Sequence, residues 1–232
     1  MKFSIWRKYL LKASPLRSLE FIHARRTAKA AQLEAERITK AALAPLRLEP
    51  PQLSVDAAGV AQSQRFGAIY ASRAGAAAQA QDVYLAGVGL PGRWQQQKLH
   101  TVLELGFGLG GNFLATLNAW RDDPNACAQL DYVAIEGFPI NAADFAKLNP
   151  NHHPMIGELA SRWPGQESGS ETGPEPGFHC IEFEAGRVRL ILVFWGVLKA
   201  LVELNIHADS VYLDGFAPAK NSDLWTTALF EQ

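Results

Sequence analysis

Four apolar runs stand out along the chain. They are His100–Leu105, Asp131–Glu136, a stretch around Ile191, and Ser210–Asp214. Each is short, rich in β-branched or aromatic residues, and carries apolar side chains on both faces. That pattern predicts strands buried in a parallel sheet. Between the first two, Phe113, Leu114, Leu117 and Trp120 recur at helical spacing, which predicts an amphipathic helix. Upstream, Arg65–Tyr70 and Asp82–Ala86 alternate and read as short strands of a small β layer. Gly87–Trp94 reads as a turn, and Gly165–Gly177, rich in Gly, Ser, Pro and Glu, as an exposed loop.

Composition changes this picture at one end. The 232 residues are 48% hydrophobic and 19% charged, with a net charge of −1, enough for a real core. Residues 1–47 carry 11 Lys and Arg against 3 Glu, so the remaining chain carries 11 against 20. The first segment is therefore at +8 and the rest at −9. From Ser18 to Leu46 there is no glycine, and the segment predicts a basic helical arm, with a targeting segment or a nucleic-acid-binding arm as alternatives. Pro45, Pro50 and Pro51 mark its boundary. The expected organisation is an arm over 1–47, a small β-rich lead-in over 48–99, and a Rossmann-like domain over 100–232. Two cysteines, Cys127 and Cys180, are too few for a disulfide framework or a cysteine metal site. The adjacent His152 and His153 lack ligand spacing, so no metal is expected. The longest apolar run, Leu190–Leu198, is far short of the ~20 residues of a membrane span, so no membrane partner is expected.

The chemistry concentrates where strands end. Gly106-Phe107-Gly108-Leu109-Gly110-Gly111 follows the first strand at once and opens the helix. Glycines allow a tight turn and close approach of a ligand, and the helix N-terminus offers free N–H groups. Glu136 ends the second strand, where an acid can accept both ribose hydroxyls of an adenosine. It lies 25 residues beyond Gly111, further than the ~20 of a nicotinamide site. Asp214 ends the fourth strand, followed by Gly215-Phe216-Ala217-Pro218. A carboxylate there can orient an amine and take its proton, and the Phe216 ring can favour the cation that forms.

These stretches resemble known motifs. Glu104-Leu105-Gly106-Phe107-Gly108 is similar to the E/D-x-G-x-G opening of S-adenosylmethionine (AdoMet) methyltransferases, and Asp214–Pro218 resembles the D-P-P-Y-type motif of amino-group methyltransferases. Taken together, LELGFGLGGNFL, YVAIEGFPI and DGFAPAKNSDLW, with RFGAIYAS and GVGLPGRW upstream, resemble the AdoMet-dependent tRNA wobble-uridine methyltransferases of the MnmC type. The resemblance runs from about Leu48 to the last residue. It implies a three-layer α/β sandwich, in which right-handed crossovers with helices on both faces predict the parallel strand order 3-2-1-4. It also implies methylation of 5-aminomethyl-(2-thio)uridine in tRNA by a cytoplasmic enzyme. Gly106, Gly108 and Gly110 would cradle the methionine end of AdoMet, with Glu104 and Asn112 beside them on the cofactor side. Glu136 would bind the ribose. Asp214 and Phe216 would form the catalytic pair.

The chain also departs from the pattern. Leu109 and Gly111 stand where the family has Thr and Leu, Ser222 replaces a proline, and Val197 stands where an acid approaches the adenine. Family members have a seven-stranded sheet, whereas four of those strands are placed here. A sheet incomplete at the C-terminus, with a bare apolar edge at Val211–Asp214, is therefore expected. FAD is not expected, since the oxidoreductase half of bifunctional members is absent. A truncated, non-catalytic remnant is the alternative reading. The acidic body predicts weak electrostatic support for tRNA outside the arm.

Overall fold

The computed structural model describes Lys29, Gln32 and Leu33 and residues 48–49, 51–57, 59–70, 76–146, 155–165 and 173–231. The chain divides into two units, Met1–Ala44 and Pro45–Gln232. Lys29, Gln32 and Leu33 are helical, while the rest of the expected arm helix, His152 and His153, and most of the Gly165–Gly177 loop lie outside the described residues.

In the second unit, β1 (Leu53–Val55), β2 (Ala61–Ser63) and β3 (Ala68–Ile69) form a small antiparallel sheet. Of the strand expected over 65–70, Arg65–Gly67 belong to a turn and Ala68–Ile69 to β3. The strand expected over 82–86 is a helix instead. The short α1 (Ala76–Gln79) runs into a π-helical turn, Ala80–Leu85. Val83 and Leu85 look like alternate positions of one strand face. In the structure Leu85 is fully buried while Val83 is 57% exposed, so they do not share an environment.

The main sheet contains β4 (Leu99–Leu105), β5 (Gln129–Ile135), β6 (Gly177–Phe183), β7 (Val188–Phe194) and β8 (Ser210–Leu213), in the order β6-β7-β5-β4-β8. β7, β5, β4 and β8 are parallel and adopt the expected 3-2-1-4 order. β6 was not anticipated. It pairs antiparallel with β7 through a tight turn at Glu184–Gly186.

All of β5 from Leu130 to Ile135 is buried, so both faces of the sheet centre are covered. On one face α2 (Gly111–Asp122) packs Phe113 edge-on to Tyr132, with centroids 5.2 Å apart. Shorter helices complete the unit: α3 (Ala142–Ala146), α4 (Ile156–Ala160), α5 (Val197–Glu203) and α6 (Thr227–Phe230). β8 is an edge strand in which Ser210 and Tyr212 are buried while Val211 and Leu213 are exposed, as expected of an apolar edge.

Register fixes the functional end of the sheet. Leu105 stands opposite both Ile135 and Leu213. Gly106, Glu136 and Asp214 therefore each occupy the next position past a strand end. Main-chain bonds continue the ladder there. Gly106 N donates to Ile135 O, and Asp214 N to Leu105 O, both at 3.0 Å.

Candidate active site

A cavity of about 720 Å³ opens at this carboxyl edge. That is in the range of small-ligand sites. Gly106, Gly108, Asn112, Glu136, Asp214 and Phe216 line it. Sequence reasoning nominated all six, and the structure brings them together from β4, α2, β5 and β8. Glu104 and Gly110 do not reach the lining. Glu104 lies behind it, fully buried, and Gly110 is the buried N-cap of α2. Val197 opens α5 and is also absent from the lining.

The glycine loop is shaped for close approach. Gly106 has φ +94°, and a β-carbon on it would stand 2.3 Å from the carbonyl oxygen of Asp214. The loops after β4 and β8 therefore touch, main chain to main chain. The side chain of Glu136 binds the same loop. Its Oε2 accepts from Gly108 N at 2.9 Å and its Oε1 from Phe138 N at 2.7 Å. Burial raises the Glu136 pKa, and these main-chain donors oppose the rise.

Three side chains link the remaining acids. Asn112 Nδ2 donates to Glu104 Oε1 at 2.8 Å and to Asp214 Oδ2 at 2.7 Å. One amide thus spends both N–H groups on two carboxylates. Tyr132 donates to Glu104 Oε2 at 2.9 Å, and Tyr84 to Asp214 Oδ1 at 2.6 Å. Burial pushes the Glu104 carboxyl well above the usual range, and the nearby Asp214 charge adds to this. Asp214 belongs to an exposed strand end, but its carboxyl is closed in by Tyr84 and Asn112. Burial raises its pKa, and the two donors pull it back.

Aromatic rings form another wall. Phe66 lies 5.1 Å from Phe138 and 5.0 Å from Phe216, and Tyr70 lies 5.4 Å from Phe216. Trp225 Nε1 donates to Phe216 O at 3.0 Å and fixes that loop. Lys220 is the one cation lining the cavity among the described residues. Sequence reasoning missed Phe66, Tyr70, Tyr84, Tyr132 and Phe138 as site residues. Phe66 and Tyr70 lie in a stretch already noted for its resemblance, and Phe138 sits two residues past Glu136, so those three had a signal. Tyr84 had none, because it meets Asp214 across 130 residues of chain. Among the described residues no cluster of three His, Cys, Asp or Glu could hold a metal ion, and no helix is long and apolar enough to cross a membrane.

Comparison with known proteins agrees with this geometry. Residues 154–232 match the family model described as S-adenosyl-L-methionine-dependent methyltransferase. The tRNA 5-methylaminomethyl-2-thiouridine biosynthesis bifunctional protein MnmC of Burkholderia multivorans is 45% identical over 192 residues, covering 80% of this chain and 28% of that protein. Its namesake in Burkholderia mallei is 42% identical over 195 residues, with the same coverage. The chain thus spans 28% of the length of these curated relatives. The crystal structure of MNMC2 from Aquifex aeolicus shares the fold, with a TM-score of 0.54 and 22% identity over 91% of this chain and 66% of that one. Motifs, strand order and sequence identity converge on an S-adenosyl-L-methionine-dependent methyltransferase half of the MnmC type, which the family model matches over residues 154–232 and the relatives match over 80% of this chain.

Proposed function

We propose that this chain methylates the primary amine of 5-aminomethyl-(2-thio)uridine at the wobble position of tRNA, in the cytoplasm, with AdoMet as donor. The observation that carries the reading is the register of the sheet. It sets the glycine loop, Glu136 and Asp214 side by side at the mouth of one cavity. The names of the relatives give the modification, tRNA 5-methylaminomethyl-2-thiouridine, whose unmethylated precursor carries the primary amine.

The cavity fits the donor. Gly106 and Gly108 leave open backbone for the methionine end, with Gly110 shaping the turn into α2. Glu136 keeps lone pairs for the ribose hydroxyls beyond those its main-chain partners use. AdoMet supplies an electrophilic methyl group when bound. The protein must supply an amine with a free lone pair. An alkyl amine with a pKa near 10.4 is protonated at pH 7, and freeing it costs roughly 4.6 kcal/mol. Asp214 holds the ammonium, and its carboxylate takes or relays the proton. The glycine loop and Glu136 would hold AdoMet so that its methyl group passes to that freed lone pair, its sulfonium sulfur leaving as a neutral thioether. The face of Phe216 favours the cationic product. Glu104 and Asn112 act from behind by holding Asp214. Neither metal nor flavin takes part in this reading.

A non-catalytic remnant is the weaker reading, since the acids and the glycine loop are assembled with their hydrogen bonds made. Labelled-methyl transfer to undermodified tRNA tests the proposal. Methylaminomethyl-uridine in the digested product is the expected result, with loss of transfer in Asp214→Ala. Calorimetric binding of NADH in place of AdoMet would overturn it.

A further inference from the structure

Asp214 is held from two sides. Asn112 of α2 donates to one oxygen and Tyr84 to the other, at 2.7 and 2.6 Å. The carboxyl group therefore cannot rotate freely, yet each oxygen keeps a lone pair to spare. Tyr84 belongs to none of the motifs. It reaches Asp214 from a π-helical turn over residues 80–85, a rare form that is frequent at functional sites. Its ring also lines the cavity and packs 5.4 Å from Tyr212.

We propose that Tyr84 is a positioning residue for methyl transfer, fixing the Asp214 carboxylate against the acceptor amine through the phenol hydrogen bond. The proposal rests on the methyltransferase reading. The titratable groups about Asp214 are Tyr84 from the π-helical turn, Glu104 from β4 and Tyr132 from β5. Of these, Tyr84 bonds Asp214 directly, and Glu104 does so through Asn112.

Tyr84→Phe keeps the ring and removes the hydroxyl. A hydrogen bond to a carboxylate favours its charged form, so the loss raises the Asp214 pKa. In the full chain, kcat is expected to fall about 10- to 100-fold, the size of a lost charge-assisted bond, while the KM for AdoMet stays within about twofold. The acid limb of the kcat/KM profile moves to higher pH. Tyr212→Phe, which removes a hydroxyl one ring away, leaves that limb in place. Carbon-13 NMR of the Asp214 carboxyl provides a readout independent of turnover, and its titration midpoint rises in Tyr84→Phe. An unmoved midpoint overturns the proposal, as does an unmoved acid limb with kcat within about twofold of wild type. If the wild-type chain transfers no methyl group, the methyltransferase reading fails by itself. The carboxyl titration still decides whether Tyr84 governs Asp214.

Discussion

Replacing Gly106 with alanine probes the contact that joins the two functional loops. The new β-carbon would meet the Asp214 carbonyl oxygen at 2.3 Å and its carbon at 3.0 Å. Neither partner can withdraw cheaply, because Asp214 N is bonded to Leu105 O and Gly106 N to Ile135 O. A side chain at φ +94° costs about 1–3 kcal/mol in backbone strain. The overlap costs a similar ~1–3 kcal/mol. Gly106→Ala should therefore lose roughly 2–6 kcal/mol, a large part of the ~5–15 kcal/mol that holds a domain together. Gly111 is the control. It lies in the first turn of α2, and nothing stands within 4 Å of its added carbon. Alanine there should be neutral or stabilise by up to about 1 kcal/mol. Urea unfolding gives both values, and AdoMet titration of the folded fraction follows the loop. A Gly106→Ala protein within about 1 kcal/mol of wild type would show that the two loops do not touch as described.

Glu136→Ala should weaken AdoMet binding at least about tenfold by calorimetry, since it removes the acceptor proposed for the ribose; an unchanged dissociation constant refutes that role. Glu104→Gln should flatten the dependence of Tm on pH. The folded pKa of Glu104 is raised by burial, so its contribution is complete below the ordinary glutamate pKa and is lost as pH rises through the folded value. Wild type should therefore melt at falling temperatures as pH rises above the ordinary glutamate range while the variant does not, and parallel curves would count against a buried Glu104. Lys220→Ala should lower the slope of log affinity for tRNA against log salt by about 1, if this residue meets a phosphate; an unchanged slope removes Lys220 from the RNA contact.

The buried parallel strands were legible because covering both faces leaves long apolar runs, and their order followed from right-handed crossovers. β6 was not legible. Its burial alternates along the strand, but the exposed Phe178 and Cys180 hide that alternation in the sequence, and the turn joining it to β7 places Glu184 and Ala185 at positive φ, where neither residue advertises a turn. The helix at 76–85 was hidden for another reason. Val83 and Leu85 imitate strand alternation, and only packing against α2 reveals a helix. At the site, residues adjoining the strand ends could be read, because loops after parallel strands gather at one edge. Of the two partners of Glu104, Asn112 could be read and Tyr132 could not. Tyr132 lies inside a run whose apolar character conceals the one hydroxyl that matters.

The bond from Gly108 to Glu136 has a thermodynamic consequence for affinity. A glycine-rich segment free to wander would lose about 1–2 kcal/mol of backbone entropy per residue on closing around a ligand. Over the four residues Gly106–Leu109 that is roughly 4–8 kcal/mol, or several orders of magnitude in dissociation constant. Here the segment is already tied to the end of β5 and to the β8 loop before a ligand arrives. The ordering cost falls on folding rather than on association, and a donor meeting this edge finds its cradle preorganised.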